Sequence, residues 1–430
     1  MIKTPILQVA LDFVDLRRAV LLAKEAVEGG VDWLEVGTPL IKSEGLNAVR
    51  TLRKMFPKKT IVADMKTMDV GRIEVESAAK AGANIVVVLG VASDATIKES
   101  VEAGRNYGAK VMVDLIDVKT PLERAKEIES FGVDFLSFHI SIDKQMEGAV
   151  SFRGLKEIKK AVSIPIAVAG GINSENVVSV LNAGADVIIV GGAIIKAKDA
   201  KKQTIRIKKA MKEKKKIYTS LYKRVDYSQV RKILDMVSTA NISDALHRGG
   251  IIRNIYSVLE KAKLIGPAFT VRTYPGDWAK PVEAIDLARK GDVIVIDAGG
   301  VGPAVWGELA SHSAVQKGIS GVVIDGGIRD VYEIRKLKFP AFSRLIVSQA
   351  GEPKGFGEVD VPVIISGVKI YPEDWIVGDD DGVVVIPKEK VIEITNRAME
   401  VFERENRIRE EIQRGGSLAE VTELLKWEKK

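Results

Sequence analysis

The sequence predicts a (β/α)8 barrel followed by a mixed α/β domain. Three observations lead there: β-branched apolar runs recur about every 25 residues in the first half, segments of helical period separate them, and a Gly-x-Asp/Asn signature precedes alternate runs. The runs span 6–11, 31–36, 61–63, 85–89, 111–115, 133–138, 164–168 and 187–190. The intervening segments are rich in Ala, Glu and Lys. The signature reads Gly30-Val31-Asp32, Gly82-Ala83-Asn84, Gly132-Val133-Asp134 and Gly184-Ala185-Asp186, each Gly placed to end a helix in a left-handed conformation. Eight strands alternating with helices in about 200 residues match a barrel, with an open doubly wound sheet as the other arrangement. In a barrel, chemistry belongs at the C-terminal strand ends.

Composition bounds the function. The 430 residues, 46% hydrophobic and 29% charged, can bury a large core in two or more domains. The absence of cysteine excludes disulfides, thiolate zinc sites, iron–sulfur clusters and a cysteine nucleophile, and three histidines argue against a histidine-rich metal site. No apolar run approaches the roughly 20 residues that span a bilayer, so a soluble cytoplasmic protein with no membrane partner is expected. The net charge of +7 is local: residues 201–216 carry nine Lys/Arg and one Glu, which leaves the remainder of the chain nearly neutral. Such a run reads as a solvated helix end or linker rather than a nucleic-acid tail. It sets the boundary, giving a barrel over 1–212, a basic linker end over 213–227 and a second domain over 228–430. Downstream, helices are expected near 228–248 and 304–317, strands near 268–274, 293–297, 321–325 and 382–386, and a closing helix over 391–413.

The strand tips of the first half are Asp12, Glu35, Asp64 with Lys66, Gly90, Asp114, His139, Gly170-Gly171 and Gly191-Gly192. One carboxylate at a strand end is ordinarily a solvated cap, but convergence of several on one rim points to a site. Asp64 and Lys66, two apart on a strand, should share a pocket, where carboxylates keep the lysine charged. Glu35 with Asp64 offers oxygen ligands suited to Mg2+. The double glycines after strands 7 and 8 let backbone N–H groups approach a phosphate. His139, the only histidine in this half, is a candidate base.

Gln8-Val9-Ala10-Leu11-Asp12, Glu35-Val36-Gly37-Thr38-Pro39-Leu40, Asp64-x-Lys66-x-x-Asp69 and the paired glycines resemble the orotidine-monophosphate decarboxylase superfamily, whose fold is a TIM barrel. The Glu-x-Gly-Thr-Pro version is shared by 3-hexulose-6-phosphate synthases and 3-keto-L-gulonate-6-phosphate decarboxylases. The decarboxylases typically carry Arg three positions after the histidine and Glu at the fifth strand. Ile142 and Asp114 stand here, and with His139-x-x-x-Asp143-x-Gln145 they favour the synthases. The resemblance implies that Glu35 and Asp64 hold Mg2+ (or Mn2+), and that ribulose 5-phosphate rests its phosphate on Gly170, Gly171, Gly191 and Gly192. It further implies His139 as the base toward formaldehyde addition, Lys66 and Asp12 as catalytic partners, and Asp114, Asp143 and Gln145 as substrate contacts. Asp69 would reach across a dimer interface.

In the second half, Val322-Val323-Ile324-Asp325-Gly326-Gly327-Ile328-Arg329-Asp330 is a strand running into a glycine turn and an Arg-Asp pair, and Gly307-Glu308-Leu309 lies near a helix start. A surface ion pair of Arg329 with Asp330 or Glu333 would explain the arginine as well as a substrate carboxylate would. With Gly266-Pro267-Ala268-Phe269-Thr270 and Gly291-Asp292-Val293-Ile294-Val295, the pattern resembles the family of regulator of ribonuclease activity A and 4-hydroxy-4-methyl-2-oxoglutarate aldolase, a swivelling β/β/α domain that forms trimers. Its aldolases show an acid, twenty intervening residues and then Arg-Asp, as Glu308 stands to Arg329-Asp330 here. The resemblance implies a 2-oxo acid on Arg329, Mg2+ positioned by Glu308 and Asp330, and substrate contacts from Gly307 and Leu309. A dimeric barrel and a trimeric second domain would together give a hexamer. The alternatives are a decarboxylase barrel, a second domain that regulates a ribonuclease, or one that serves only oligomerisation.

Overall fold

The computed structural model describes residues 4–148, 152, 154–219, 224 and 226–422. Two units divide the chain. Among the described residues, the first contains eight parallel strands closed into a barrel in sequence order: β1 (Ile6–Leu11), β2 (Trp33–Val36), β3 (Thr60–Thr67), β4 (Ile85–Leu89), β5 (Lys110–Asp114), β6 (Phe135–His139), β7 (Ile166–Ala169) and β8 (Val187–Val190). Closure rather than an open sheet is settled by β1 pairing with both β2 and β8.

Both strand faces are buried, which is why the strands read as continuous apolar runs. Leu7, Val9 and Leu11 of β1 face the surrounding helices with Leu34, Val36, Ile61, Ala63, Val86 and Val88. The alternate positions Ala10, Val62, Ile85, Val87, Met112, Phe135, Ala167, Val187 and Ile189 fill the lumen, where Trp33 meets Phe135 edge-on at 5.7 Å. Side-chain caps start several helices: Asp15 accepts from Arg18 N, Ser93 from Thr96 N and Asp199 from Lys202 N.

The repeated signature does two jobs. Gly30, Gly82, Gly132 and Gly184 all have positive φ, as helix-ending glycines should. The acid or amide two residues later accepts from a backbone N–H at the start of the neighbouring strand, its first or second residue: Asp32 from Leu7 N (2.8 Å), Asn84 from Ile61 N (2.9 Å), Asp134 from Val111 N (2.9 Å) and Asp186 from Ile166 N (2.8 Å). These clasps lie at the N-terminal strand ends, opposite the predicted site.

The basic run forms the helix Ala200–Glu213, and several of its cations are paired: Lys201 with Glu28, Lys208 with Asp32, and Lys216 beyond the helix with Glu175. Residues 217–219 are held by the barrel through Ile217 N to Ser174 O and Thr219 N to Glu175, so the linker placed at 213–227 begins later. Residues 220–223 and 225 of that expected linker lie outside the described residues.

In the second unit, β9 (Ile251–Ile252), β10 (Tyr256–Ser257), β11 (Leu264–Thr273), β12 (Val293–Asp297), β13 (Ala304–Trp306), β14 (Gly321–Ile328), β15 (Ala341–Ile346), β16 (Gly357–Val359), β17 (Val363–Ile365), β18 (Val368–Ile370), β19 (Trp375–Asp379) and β20 (Gly382–Ile386) form two sheets. The larger has the order β10-β15-β14-β12-β11-β19-β20-β9, with β11, β12, β14 and β15 parallel. Ile285 and Ile334 of the helices Ala279–Leu287 and Val331–Leu337 cover one face with Ile294, Ile296 and Ile324. Val363, Ile365 and Ile370 of the β17–β18 hairpin pack with Val293, Val295 and Val323 on the other. The expected three-layer β/β/α arrangement is therefore present.

Three details differ from expectation. The helix expected over 228–248 is two, Val230–Met236 and Thr239–Ala245, because Ser238 and Asn241 form a reciprocal capping box. The helix expected from 304 starts at Glu308, since Ala304–Trp306 pairs with β14. The closing helix Val391–Gln413 has its expected bounds, but the described residues from Glu403 onward cluster with the barrel rather than with the second domain. The cause is ionic: Arg407 pairs with Glu25 (3.1 Å), and Arg18 with Glu411 (3.3 Å). No helix among the described residues is long and apolar enough to cross a membrane.

Candidate active site

Strand parity builds the first site. On four strands a lumen-facing apolar residue is followed two positions later by an acid at the mouth: Ala10 by Asp12, Trp33 by Glu35, Val62 by Asp64, and Met112 by Asp114. Register keeps the tips level, with Ala10 opposite Glu35 and Asp114 opposite Ser137. Lys66 reaches the cluster differently from the expectation. The β3–β4 register shifts between Ala63 and Thr67, and Lys66 takes a left-handed φ of 46°. Asp64 and Lys66 thus share the pocket through a bulge that re-aims their side chains, not through simple alternation.

The side chains form a connected network. Lys66 Nζ lies 3.0 Å from Asp64 Oδ2 and 3.2 Å from Asp114 Oδ2. The same Asp114 oxygen is 2.9 Å from His139 Nδ1, while Asp114 Oδ1 accepts from Ile116 N. Both oxygens of Asp114 therefore have protein partners, Lys66 and His139 on one and Ile116 N on the other. Thr38 Oγ1 donates to Asp64 at 2.9 Å, and Gln8 Nε2 donates to Glu35 Oε2 at 2.5 Å.

Electrostatics follow from crowding carboxylates at the mouth. Burial, then the charge of Asp64, then that of Asp12, pushes the Glu35 carboxyl well above the usual carboxylate range, against the Gln8 hydrogen bond. Asp12 keeps solvent access through the open mouth, yet desolvation and Asp64 raise it too. Burial alone would raise Asp114, but its bonds to His139 and Lys66 hold it below the usual range. Burial opposes the charge of Lys66, and Asp64 and Asp114 more than restore it, so Lys66 stays an ammonium.

This donor set fits a divalent cation. Glu35 and Asp64 are buried hard-oxygen donors; Lys66 pairs with Asp64, while Glu35 is crowded by the charges of Asp64 and Asp12, a repulsion that a divalent cation would offset. Among the described residues no group of three or more His, Asp or Glu side chains is arranged to hold an ion alone. A two-carboxylate platform completed by substrate oxygens and water is what Mg2+ commonly takes.

Around this cluster lie the remaining predicted residues. Gly170 and Gly171 have φ of 108° and 66°, and a Cβ on Gly170 would stand 2.5 Å from Ile140 O, so this turn requires glycine. Gly191 lies beside Asp12, and Gly192 starts the short helix Gly192–Ile195. Gln145 is buried with Nε2 donating to Ile140 O, which holds the loop after β6. Asp143 is exposed on the short helix Ile142–Met146. Asp69 is exposed and accepts from Val70 N, outside the cluster. Sequence reasoning missed Gln8 and Thr38. Gln8 was readable as the one polar residue at a lumen parity in β1, and Thr38 from its place in Gly-Thr-Pro.

The second unit assembles its predicted residues at the ends of β13 and β14. Glu308 N donates to Asp330 Oδ2 (3.3 Å), and Arg329 Nε lies 3.4 Å from the same oxygen. A Cβ on Gly307 would stand 2.7 Å from that oxygen, so a larger residue here would push the Asp330 carboxylate aside. The ion pair of Arg329 with Asp330, one of the two readings of the arginine, is present, while Glu308 turns its carboxylate toward His312 at 3.7 Å. Leu309 is 80% exposed. Arg329, Asp330 and Glu308 are partly exposed, so this is an open surface site rather than an enclosed pocket.

Residues 5–207 match the family described as orotidine 5'-phosphate decarboxylase / HUMPS, and residues 239–385 match the RraA-like family, described as Aldolase/RraA. The 3-hexulose-6-phosphate synthase of Bacillus subtilis (strain 168) is 42% identical over 203 residues, which is 47% of this chain and 96% of that protein. The synthase of Mycobacterium gastri is 40% identical over 193 residues, 45% of this chain and 93% of that one. A crystal structure of a 3-hexulose-6-phosphate synthase aligns at 39% identity with a TM-score of 0.46, over 48% of this chain and 99% of that chain.

Proposed function

The chain belongs, through residues 5–207, to the orotidine 5'-phosphate decarboxylase / HUMPS family, and on that premise we propose that its barrel joins ribulose 5-phosphate to formaldehyde, giving hexulose 6-phosphate, and catalyses the reverse cleavage. The observation that supports this most is the run Lys66–Asp114–His139 beside Glu35 and Asp64. Donation from His139 Nδ1–H to Asp114 leaves Nε2 with its lone pair, the form a base needs.

His139 Nε2 takes a proton from C1 of the sugar, and the electron pair moves into an enediolate. C1 then forms the new carbon–carbon bond to formaldehyde, whose oxygen takes up a proton. The Lys66 ammonium, fixed between two carboxylates, offsets negative charge on the substrate oxygens. Mg2+ or Mn2+, held by Glu35 and Asp64, would supply Lewis-acid stabilisation of the same oxygens. The phosphate rests on Gly170, Gly171, Gly191 and Gly192. Asp69, outside its own chain's cluster, is assigned to a partner barrel's site, which requires a dimer.

For the RraA-like domain we infer a metal-assisted lyase acting on a 2-oxo acid. Arg329 takes the carboxylate, with Glu308 and Asp330 positioning the cation. The shared Asp330 oxygen, which draws the Glu308 backbone and Arg329 to one point, supports this over a purely regulatory module. Pairing of Lys201, Lys208 and Lys216 with acids argues against a nucleic-acid tail.

The test is formaldehyde-dependent consumption of ribulose 5-phosphate with Mg2+ and then EDTA, using the full chain, Glu35→Gln and Arg329→Ala. The expected result is metal-dependent turnover lost in the first variant and kept in the second. Carbon dioxide release from a keto-gulonate phosphate in place of this activity would move the barrel to the decarboxylases. Oxaloacetate decarboxylation abolished by Arg329→Ala is the expected signature of the second domain.

A further inference from the structure

The glycine turns offer a phosphate backbone N–H groups but no charge, and the nearest acid works against it. A Cβ on Gly191 would stand 3.5 Å from Asp12 Oδ2. A sugar-phosphate dianion seated here therefore needs a cation, and Lys66 is held between Asp64 and Asp114. Lys196 is positioned to supply it. A Cβ on Gly192 would lie 3.5 Å from Lys196 Cε and 3.7 Å from Nζ, so the ammonium lies along the glycine turn. Its charge is felt at Asp12.

The turn after Lys196 is held from outside the family match. Arg407, whose side chain is 4% exposed, donates through Nη1 to Ala197 O and Lys198 O, both at 3.0 Å. Glu25 and Glu411 fix the other side of its guanidinium, at 3.1 and 2.8 Å. Arg414 Nη2 adds a bond to Lys198 O at 2.9 Å. The Bacillus subtilis synthase aligns over 96% of its length with the first half alone, so it has almost no chain left to supply a counterpart of Arg407.

We propose that Lys196 is the cation of the sugar-phosphate site and that Arg407, through Ala197 and Lys198, is the positioning residue that sets it there. This rests on the synthase reading. The helix Val391–Gln413 is on this account part of the barrel's substrate machinery.

The experiment compares full-length wild type with Lys196→Met, Arg407→Lys and the double variant, on ribulose 5-phosphate and on ribulose. Arg407→Lys keeps a cation between Glu25 and Glu411 but cannot grip both carbonyls. Lys196→Met should raise KM for ribulose 5-phosphate about tenfold or more, with kcat and ribulose turnover changed less than about twofold. Arg407→Lys should raise the same KM about three- to fivefold, and should add nothing in the Lys196→Met background. An unchanged KM in Lys196→Met, or an Arg407→Lys effect that persists in the double variant, overturns the proposal. If wild type turns over no ribulose 5-phosphate, the synthase reading fails, and thermal stabilisation by inorganic phosphate decides this one separately. Stabilisation lost in Lys196→Met supports the site, and stabilisation retained refutes it.

Discussion

Gly37→Ala is the sharpest probe of the barrel mouth. Gly37 has φ −65° and ψ 155°, extended backbone that alanine adopts freely, so only space opposes the change. The added Cβ would overlap Asp12 Oδ1, and it would stand 2.9 Å from Leu11 O and 3.2 Å from Asp12 Cα. Carbon contacts settle at about 3.5–4.0 Å, so the two backbone atoms are too close by several tenths of an ångström. The carboxylate can rotate away, but Leu11 O is fixed in the β1–β2 ladder. Relief must move the end of β1 or displace Asp12. Such overpacking costs about 1–3 kcal/mol, and at roughly 2–4 °C per kcal/mol for a unit of this size the melting temperature should fall by several degrees. Misplacing a site group by about 1 Å can lower turnover about 100-fold. Calorimetry and the formaldehyde-dependent assay read both effects. If kcat stays within about threefold of wild type and the melting temperature is unchanged, the close approach of Gly37 to Asp12 does not constrain the site.

Other outcomes follow from the same geometry. His139→Ala should keep the fold, as judged by circular dichroism, and lose about 100- to 10,000-fold in turnover; near wild-type activity would remove it from the mechanism. Asp32→Ala leaves Leu7 N unsatisfied at the closed end of the barrel, and denaturant titration should show a loss of about 1–3 kcal/mol with kcat unaffected. Asp277 is buried, which would raise its pKa, but N–H groups of Ala279, Phe356, Lys354 and Gly355 hold it below the usual range. A depressed carboxylate contributes stability that is present above its unfolded pKa of about 3.9 and is lost as pH falls through the folded value. Asp277→Asn should therefore destabilise at pH 7, by an amount that shrinks as melts are run toward pH 3; a penalty independent of pH contradicts this. The proposed barrel dimer and trimeric second domain predict a hexamer, and a monomer by light scattering would exclude it.

The barrel was legible because its strands are buried on both faces and its mouth residues follow lumen parity: anyone counting by twos from Ala10 or Met112 arrives at Asp12 or Asp114. Parity cannot foresee a bulge, so the route by which Lys66 enters the pocket was not readable, although its destination was. The break at Ser238 was written in Ser-x-x-Asn, a capping signal outweighed by the apolar period on either side. Arg407 was unreadable for another reason. Its partners Ala197, Lys198 and Glu25 lie hundreds of positions away, and a Glu/Arg-rich helix looks alike whether it is solvated or docked.

The Gly-x-Asp/Asn clasps bear on how such a barrel assembles. Each bond joins residues only 20 to 25 positions apart, from Asp32 to Leu7, Asn84 to Ile61, Asp134 to Val111 and Asp186 to Ile166. Neighbouring strands can thus dock through short loops, each closed at small entropic cost, before the circle is complete. The exception is the seam, where Gln8 of β1 must find Ile189 of β8 across nearly the whole barrel sequence. Local ratchets gather the strands in pairs, and a single long-range encounter remains to turn the curved sheet into a ring.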